Sequence, residues 1–498
     1  GQFHKVCYNR IMKILMITAE AVPFAKTGGL ADAVTALAIA LRKTGADVRI
    51  IMPRYYKIDR DKLELLDEPM AVHLSYKEEW TAVYKTDIPT GHKSYPSLPI
   101  YFIDHEQCFG RDGVYGTPFE SDFHDNPRRF SLLGHASFQL CHKLGWYPDV
   151  MHAHDWSASL VPALLKFNMR HGVFAQTKSV LTIHNLGYQG VYPKHHYPLF
   201  GLDWSHFYDS GFEDFDRINF LKAGIRSADH LTTVSPTYAQ EIQTAAYGFN
   251  LDGLLRERSY FLTGILNGVD MDYWNPKKDR YLPVNYDTKT LAKKVENKKA
   301  LQERMGLEVN PDIPIVGIVT RLADQKGVAE LFAPTFGSAY SICRDMKLQM
   351  IVLGSGESWC EDELRSLQGK LDNFRAYIGY DEGLSHLIEA GSDFFLMPSR
   401  YEPCGLNQMY SLLYGTLPIV RRTGGLADTV ENYNEETGEG TGFVFDNLTP
   451  GSIYDTVGWA IYAWYNKKAH IETMKLRGMK KDFSWDASAK RYLEVYGW

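Results

Sequence analysis

The sequence predicts an α/β protein built from two doubly wound lobes. Three observations carry that expectation. Short apolar runs alternate with amphipathic stretches along the whole chain, and this β/α rhythm occurs twice. The 498 residues exceed one ordinary core and suggest two to three domains. Two near-copies of one nonapeptide, Lys26-Thr-Gly-Gly-Leu-Ala-Asp-Ala-Val34 and Arg422-Thr-Gly-Gly-Leu-Ala-Asp-Thr-Val430, stand one in each half.

In the first half, strands are expected near 13–18, 47–52, 99–103, 149–152, 179–183 and 230–234, with helices near 29–43, 128–143 and 157–170. The β-branched run Val180-Leu-Thr-Ile183 fits a strand covered on both faces, as in a parallel sheet. The second half predicts strands near 262–266, 314–320, 348–353, 374–378, 393–397, 417–420 and 442–445. The seam falls within Tyr260–Asn275, where Asn267-Gly-Val-Asp270 and Asn275-Pro276 signal turns. This places an N-terminal domain at 12–262, a C-terminal domain at 263–480 and a last helical segment at 481–498 capped by Ser484, with residues 1–11 as an extension. The charged stretch Asn275–Thr290 reads as a surface loop, and the acidic, Gly-rich Glu431–Thr441 as a mobile one.

Composition narrows the function classes. Hydrophobic residues at 45% and charged residues at 23% describe an ordinary globular protein. A net charge of −6 provides no global attraction to nucleic acid or anionic membrane, and no signal peptide or membrane-length apolar run is evident. The six cysteines are scattered without a C-x-x-C pair, which argues for a reducing compartment.

The chemistry is expected at the carboxyl ends of the strands, where doubly wound sheets bind ligands. Each nonapeptide follows a strand and opens a helix, so Gly28-Gly29 and Gly424-Gly425 read as anion-binding turns, with Lys26 and Arg422 adding positive charge. Polar clusters follow other strands: His152-Ala-His154-Asp155-Trp156, His184-Asn-Leu-Gly187, Arg321 with Lys326-Gly327, and Ser399-Arg-Tyr-Glu402-Pro-Cys-Gly405. Arg321 offers a planar fork and Lys326 a compact charge, a pair suited to the two charges of a departing nucleoside diphosphate. Taken alone, both are also compatible with solvated loop charges, and Glu402 with a first-turn residue facing a helix dipole.

Together, Lys26-Thr-Gly-Gly-Leu, His154-Asp-Trp, His184-Asn-Leu, Ser235-Pro-Thr-Tyr, Asn267-Gly-Val-Asp, Arg321-Leu-x3-Lys-Gly and Glu402-Pro-Cys-Gly-Leu resemble the bacterial glycogen synthase and plant starch synthase family, in its order and from Met12 to Tyr496. The resemblance implies the GT-B fold, two Rossmann-like domains facing an interdomain cleft, with the last helix crossing back to the first domain. It implies a retaining transfer of glucose from ADP-glucose to the non-reducing 4-OH of an α-1,4-glucan such as glycogen, starch or a maltooligosaccharide. Arg321 and Lys326 would then hold the diphosphate, helped by backbone amides around Thr423, Gly424, Gly425 and Leu426. Glu402, in the Cys404-Gly405-Leu406 motif, would hold the transferred glucose. Asp155 and His184 would line the sugar and acceptor side, Lys26 would contact the donor beside Gly28 and Gly29, and Asp32 and Asn267 would lie nearby. Tyr380 would stack on the adenine.

The resemblance further implies no cofactor or required metal, no nucleic acid or membrane partner, and a cytoplasmic setting (plastid stroma for a processed plant enzyme). Where many related retaining enzymes carry a second Glu, this chain has Tyr410, as glycogen synthases do. His152-x-His154 lacks a third ligand at zinc-enzyme spacing. Gly354-Ser-Gly-Glu357 is an incomplete dinucleotide fingerprint, with Trp359 in the third glycine position, and reads as a place where backbone approaches a ligand. A glucan phosphorylase-like enzyme and a catalytically inactive glucan-binding scaffold are the rival readings. The first lacks a pyridoxal-phosphate lysine context, and the second is opposed by Lys26, Arg321, Lys326 and Glu402 standing together.

Overall fold

The computed structural model describes residues 10–75 and 77–497. The extension expected at 1–11 falls, through residue 9, outside the described residues. The chain divides into two units. The first comprises residues up to Val234, Ala239–Gly268 and the segment from Trp485; the second comprises Ser235–Tyr238 and Val269–Ser484.

The first unit's strands are β1 (Lys13–Ile17), β2 (Asp47–Pro53), β3 (Glu64–Leu65), β4 (Met70–Leu74), β5 (Lys77–Pro89), β6 (Ser97–Asp104), β7 (Val150–His154), β8 (Lys178–Ile183), β9 (Val191–Pro193), β10 (Glu213–Asp214), β11 (Arg217–Asn219), β12 (His230–Thr233) and β13 (Leu262–Gly264). Its main sheet runs β13-β12-β8-β7-β1-β2-β6-β5-β3, with β4 paired to β5, while β9, β10 and β11 form a small separate sheet. From β13 to β6 every pairing is parallel. Helices cover both faces of that part, so β7 is buried along its whole length and appears in the sequence as a continuous run rather than an alternation. The helix Gly29–Lys43 arises from apolar residues at helical spacing with Arg42 and Lys43 in its last turn, and it buries Val34, Leu37, Ala38 and Leu41.

In the second unit lie β14 (Ile315–Leu322), β15 (Gln349–Gly356), β16 (Phe374–Ile378), β17 (Phe394–Met397), β18 (Leu417–Arg421) and β19 (Phe443–Phe445). They form an all-parallel sheet in the order β16-β15-β14-β17-β18-β19. Two apolar clusters cover its faces, one around Val316, Ile318, Val352 and Phe443, the other around Ile315, Ile351, Phe395 and Leu426. The strand order reverses beside β14 and β17, and a doubly wound sheet opens its ligand crevice at that point.

Several expectations need correction. The strand expected at 262–266 as the start of the second domain is β13, which pairs with β12 and closes the first sheet, so the units divide after Gly268. The helix expected over 157–170 is broken into a 3₁₀ turn at Trp156–Ala158, a short α-helix at Leu160–Leu164 and a π turn at Leu165–Met169. The hairpin β4–β5 alternates buried apolar positions such as Met70, Val72, Leu74 and Val83 with exposed or half-buried ones, so it contains no continuous apolar run. The stretch Asn275–Thr290 is irregular but not peripheral: Asp279 and Tyr286 are buried, and the Tyr286 hydroxyl donates to the Tyr414 carbonyl at 2.5 Å. Glu431–Thr441 is likewise anchored, through buried Tyr433, whose hydroxyl lies 2.6 Å from His470 Nδ1.

Candidate active site

In the second unit the strand ends bring three loops into contact. Arg321 stands at the carboxyl end of β14, opposite Ser355 of β15, with its side chain exposed and bonded to no other described residue. A 3₁₀ turn at Asp324–Lys326 follows. It ends at Gly327, whose φ of 74° is left-handed and where a Cβ would sit 1.9 Å from the Pro398 carbonyl oxygen. This turn locks to the loop after β17, because the Arg400 amide donates to the Gln325 carbonyl (2.8 Å) and the Gln325 side chain donates to the Tyr401 carbonyl (3.1 Å).

The lock delivers Lys326 to Glu402. The ammonium bonds both carboxylate oxygens, at 3.0 and 2.8 Å, and Ser399 Oγ donates to the second at 2.9 Å. The two side chains are 18% and 8% exposed, so the pair is largely screened from water. An ammonium has three donors, and two face Glu402, which leaves one for another anion.

The third loop is the second nonapeptide. A Cβ on Gly424 would fall 1.8 Å from the Glu402 carbonyl oxygen, and one on Gly425 would fall 1.9 Å from the Cys404 carbonyl oxygen. The paired glycines are therefore demanded by the backbone of 402–404 pressing on the turn. Cys404 and Thr423 are buried beneath this contact, and Gly405 and Leu406 lead into the helix Asn407–Leu413. Gly425→Ala is expected to unfold the loop or lower the melting temperature sharply, since backbone must move to admit the methyl group. Gly28→Ala, where the added Cβ meets nothing within 4 Å and φ is extended, is expected to leave the melting temperature nearly unchanged. Thermal unfolding of the two variants checks this contrast.

Three expectations about this region are corrected. The Gly425 amide donates to the Glu402 and Pro403 carbonyls and the Leu426 amide to the Thr423 carbonyl, so these N–H groups serve the turn itself rather than standing open to a phosphate. Arg422 is bound to Asp446 at 2.8 Å, which cancels the charge expected of it. Gly354 brings β15 close to β14, where a Cβ would lie 2.2 Å from the Thr320 carbonyl oxygen, so its partner is a neighbouring strand. Tyr380 follows β16 and is 70% exposed, an open ring free to stack.

In the first unit Asp155 and His184 meet at the ends of β7 and β8. The His184 amide donates to Asp155 Oδ1 at 2.7 Å, and the Asp155 amide donates to the Thr182 carbonyl at 2.9 Å. Asp155 holds φ at 60°, a region in which a non-glycine residue is strained by about 1–3 kcal/mol. Burial pushes its carboxyl up to about 7, against the His184 amide, with the charge of Glu20 adding to the rise. The folded state therefore holds a proton that the unfolded chain releases near pH 4, and the group's contribution to stability is lost as pH rises from about 4 through about 7. Relative to Asp155→Asn, the wild-type protein is expected to lose stability across that window; chemical denaturation at a series of pH values reads the difference.

The histidines form one neutral chain. His184 Nε2 and His154 Nδ1 lie 3.0 Å apart, His154 stacks on His152 with ring centroids 4.2 Å apart, and His152 bonds Thr182 Oγ1 and the Tyr496 hydroxyl, each at 2.6 Å. Burial drives His152 and His184 down to about 3, and lowers His154 with help from its two neighbours. The His152 ring nitrogens are thus both occupied by hydroxyl groups. Among the described residues no group of three or more His, Cys, Asp or Glu side chains has the geometry to hold a metal ion.

The first nonapeptide is arranged differently from the second. Lys26 lies 2.5 Å from Asp32 in a half-exposed ion pair, which links two expected residues and offsets the lysine's charge. Glu20, which no motif in the sequence marks, is buried and organises the loop. Its carboxylate accepts from the Thr27 amide (2.9 Å), the Thr27 hydroxyl (2.7 Å) and the Tyr115 hydroxyl (2.7 Å). Burial raises the Tyr115 phenol well above its ordinary value, followed by the charge of Glu20. Asn267 is half-buried in the loop after β13, apart from these contacts.

Comparison with known proteins adds to this geometry. A family profile described as "Starch synthase catalytic domain" matches residues 13–257, and one described as "Glycosyl transferases group 1" matches residues 300–470. A protein named glycogen synthase from Treponema denticola is 65% identical over 485 residues, 97% of this chain and 98% of that one. Glycogen synthase 1 from Geobacter metallireducens is 43% identical across 98% of this chain and 96% of its own. The solved catalytic domain of starch synthase IV from Arabidopsis thaliana, bound to ADP and acarbose, is 33% identical with a TM-score of 0.85, covering 98% of this chain and 99% of that chain. Two parallel-sheet units of this kind make the fold GT-B. The chain belongs to the glycogen and starch synthase family and is a hexosyltransferase. No helix among the described residues is long and apolar enough to cross a membrane.

Proposed function

We propose that this hexosyltransferase moves glucose from ADP-glucose to the 4-hydroxyl at the non-reducing end of an α-1,4-glucan and keeps the α configuration. The observation that carries the reading is the Lys326–Glu402 pair, with the unpaired Arg321 on the strand that leads to it. The family membership, the names of the relatives and the ADP and acarbose in the starch synthase IV structure support it. Kinship with bacterial relatives also supports a cytoplasmic location.

On this reading Arg321 takes the distal phosphate oxygens in its planar fork, and Lys326 turns its third donor to the same diphosphate. The C1–O bond then breaks, and its electrons pass to the phosphate oxygen, where these two charges stabilise them. Glu402 faces the sugar and offsets positive charge at the oxocarbenium-like C1. The glucan 4-hydroxyl attacks from the face the phosphate leaves, and its proton passes to that phosphate, so no separate strong base is needed. Asp155, whose raised pKa gives it a protonated fraction near neutral pH, and neutral His184 act as hydrogen-bonding groups toward sugar hydroxyls. Tyr380 stacks on the adenine. Lys26 reaches the donor by exchanging Asp32 for phosphate.

No divalent metal is required in this reading, because Arg321 and Lys326 are fixed cations that supply the needed charge. Single-turnover transfer is expected to survive dialysis against EDTA, and its loss would refute that part. The reading as a whole is tested by radiolabelled glucose incorporation into glycogen from ADP-glucose and UDP-glucose side by side. Incorporation mainly from ADP-glucose is expected; phosphate-dependent release of glucose 1-phosphate instead would favour a phosphorylase.

A further inference from the structure

A buried column of rings lies behind this site in the second unit, and the reaction as described leaves it unused. Trp274 is stacked between His386, with ring centroids 3.7 Å apart and planes 5° from parallel, and Tyr410, at 3.9 Å and 7°. His386 is fully buried. Its Nδ1 lies 2.6 Å from Asp279 Oδ2 and its Nε2 lies 3.1 Å from Glu382 Oε1. The same two carboxylate oxygens already accept from tyrosines: Tyr414 donates to Asp279 Oδ2 and Tyr273 to Glu382 Oε1, each at 2.5 Å.

The ring thus bridges two acidic side chains, one nitrogen to each, while its face lies on the Trp274 indole. The other rings on it are Tyr273 and Tyr281, with Tyr414 beyond Asp279. Of the charged groups around it, Arg280 lies over the Tyr281 ring at 4.9 Å and Arg304 pairs with Asp381 at 3.0 Å. Burial raises the Asp279 carboxyl, and hydrogen bonds from His386 and Tyr414 outweigh it and hold the group below its ordinary value.

The column has two outputs. Glu382 is the first residue of the helix Glu382–Gly391, directly after the turn that carries Tyr380. Tyr410 belongs to the helix Asn407–Leu413, which starts directly after the loop holding Glu402. We propose that His386, bridging Asp279 and Glu382, is a positioning residue for the donor nucleotide, fixing the Tyr380 turn through Glu382 and the helix behind Glu402 through Trp274 and Tyr410. This rests on the ADP-glucose reading above, which assigns Tyr380 to the adenine.

The test measures ADP binding by calorimetry on the full chain, together with KM for ADP-glucose and kcat for transfer. ADP affinity is expected to fall about tenfold in His386→Gln and less in Glu382→Gln, which keeps the Asp279 contact. The loss is expected mainly in the KM for ADP-glucose, with a smaller loss in kcat through the helix behind Glu402. If His386→Gln does not fold, Glu382→Gln carries the affinity measurement. ADP affinity unchanged in the folded variants overturns the proposal while leaving the ADP-glucose reading intact. Failure of the wild-type protein to bind ADP overturns both.

Discussion

Lys326→Ala is expected to lower the turnover number by the equivalent of about 2–4 kcal/mol of barrier, the range found when one preorganised group facing developing charge is removed. The geometry explains why the loss falls on turnover. In the absence of donor, Lys326 is bonded to both oxygens of Glu402, so its charge is already compensated and adds little to a first encounter. When C1–O cleavage loads charge onto the leaving phosphate, the third donor meets a stronger acceptor in a largely dry site. The variant also leaves Glu402 buried with Ser399 as its side-chain partner among the described residues, and a buried charge stripped of its counter-ion is costly. Melting temperature must therefore be recorded beside the kinetics, so that loss of fold is not counted as loss of chemistry. Near-normal turnover in a folded Lys326→Ala would remove the lysine from the phosphate.

Glu402→Ala is expected to produce a similarly large loss of turnover with the opposite effect on the nucleotide. Removing the carboxylate frees two donors of Lys326, so ADP is expected to bind at least as tightly as to the wild-type protein. The glucose, by contrast, loses the acidic group that touches this lysine, and C1 loses the negative charge beside it. Measured together, kcat for transfer and the Kd for ADP separate the roles. A large loss of ADP affinity would move Glu402 from the sugar to the nucleotide side.

The two predictions depend on a contact that sequence pattern showed only indirectly. Arg321, Lys326 and Glu402 were recognisable as polar residues at strand ends because a parallel sheet in which β14 and β17 are neighbours brings their loops together. The Gln325–Tyr401 and Arg400–Gln325 bonds that align Lys326 with Glu402 involve backbone carbonyls, which carry no residue-type signal. The nonapeptides illustrate the limit of motif reading. Gly424 and Gly425 are needed because carbonyls of 402–404 lie against them, whereas Gly28 and Gly29 face open space. Identical dipeptides at equivalent strand–helix turns thus answer different physical demands, and only the second is explained by packing.

Charge was the other blind spot. Lys26 and Arg422 look like free cations in the sequence, yet Asp32 and Asp446 sit beside them. Asp32 was within reach of pattern reasoning, six residues on and in the first turn of the helix that follows, while Asp446 comes from the end of β19. Glu20 was missed because a lone glutamate after a strand has no motif, and its three oxygen-bound partners come from Thr27 and from Tyr115 far along the chain. The histidine at 386 belongs to the same category. Its partners Asp279 and Glu382 lie on a segment that reads as surface loop and on a helix start, and only folding places the ring between them.

The central claim is that Arg321 and Lys326 hold the departing diphosphate, and the most direct measurement is calorimetric binding of ADP and AMP to wild type and Arg321→Ala. Because the guanidinium is assigned to the distal phosphate, ADP affinity is expected to fall about tenfold or more while AMP affinity changes by less than about threefold. Equal losses for both nucleotides, or no loss for ADP in a folded variant, would contradict it.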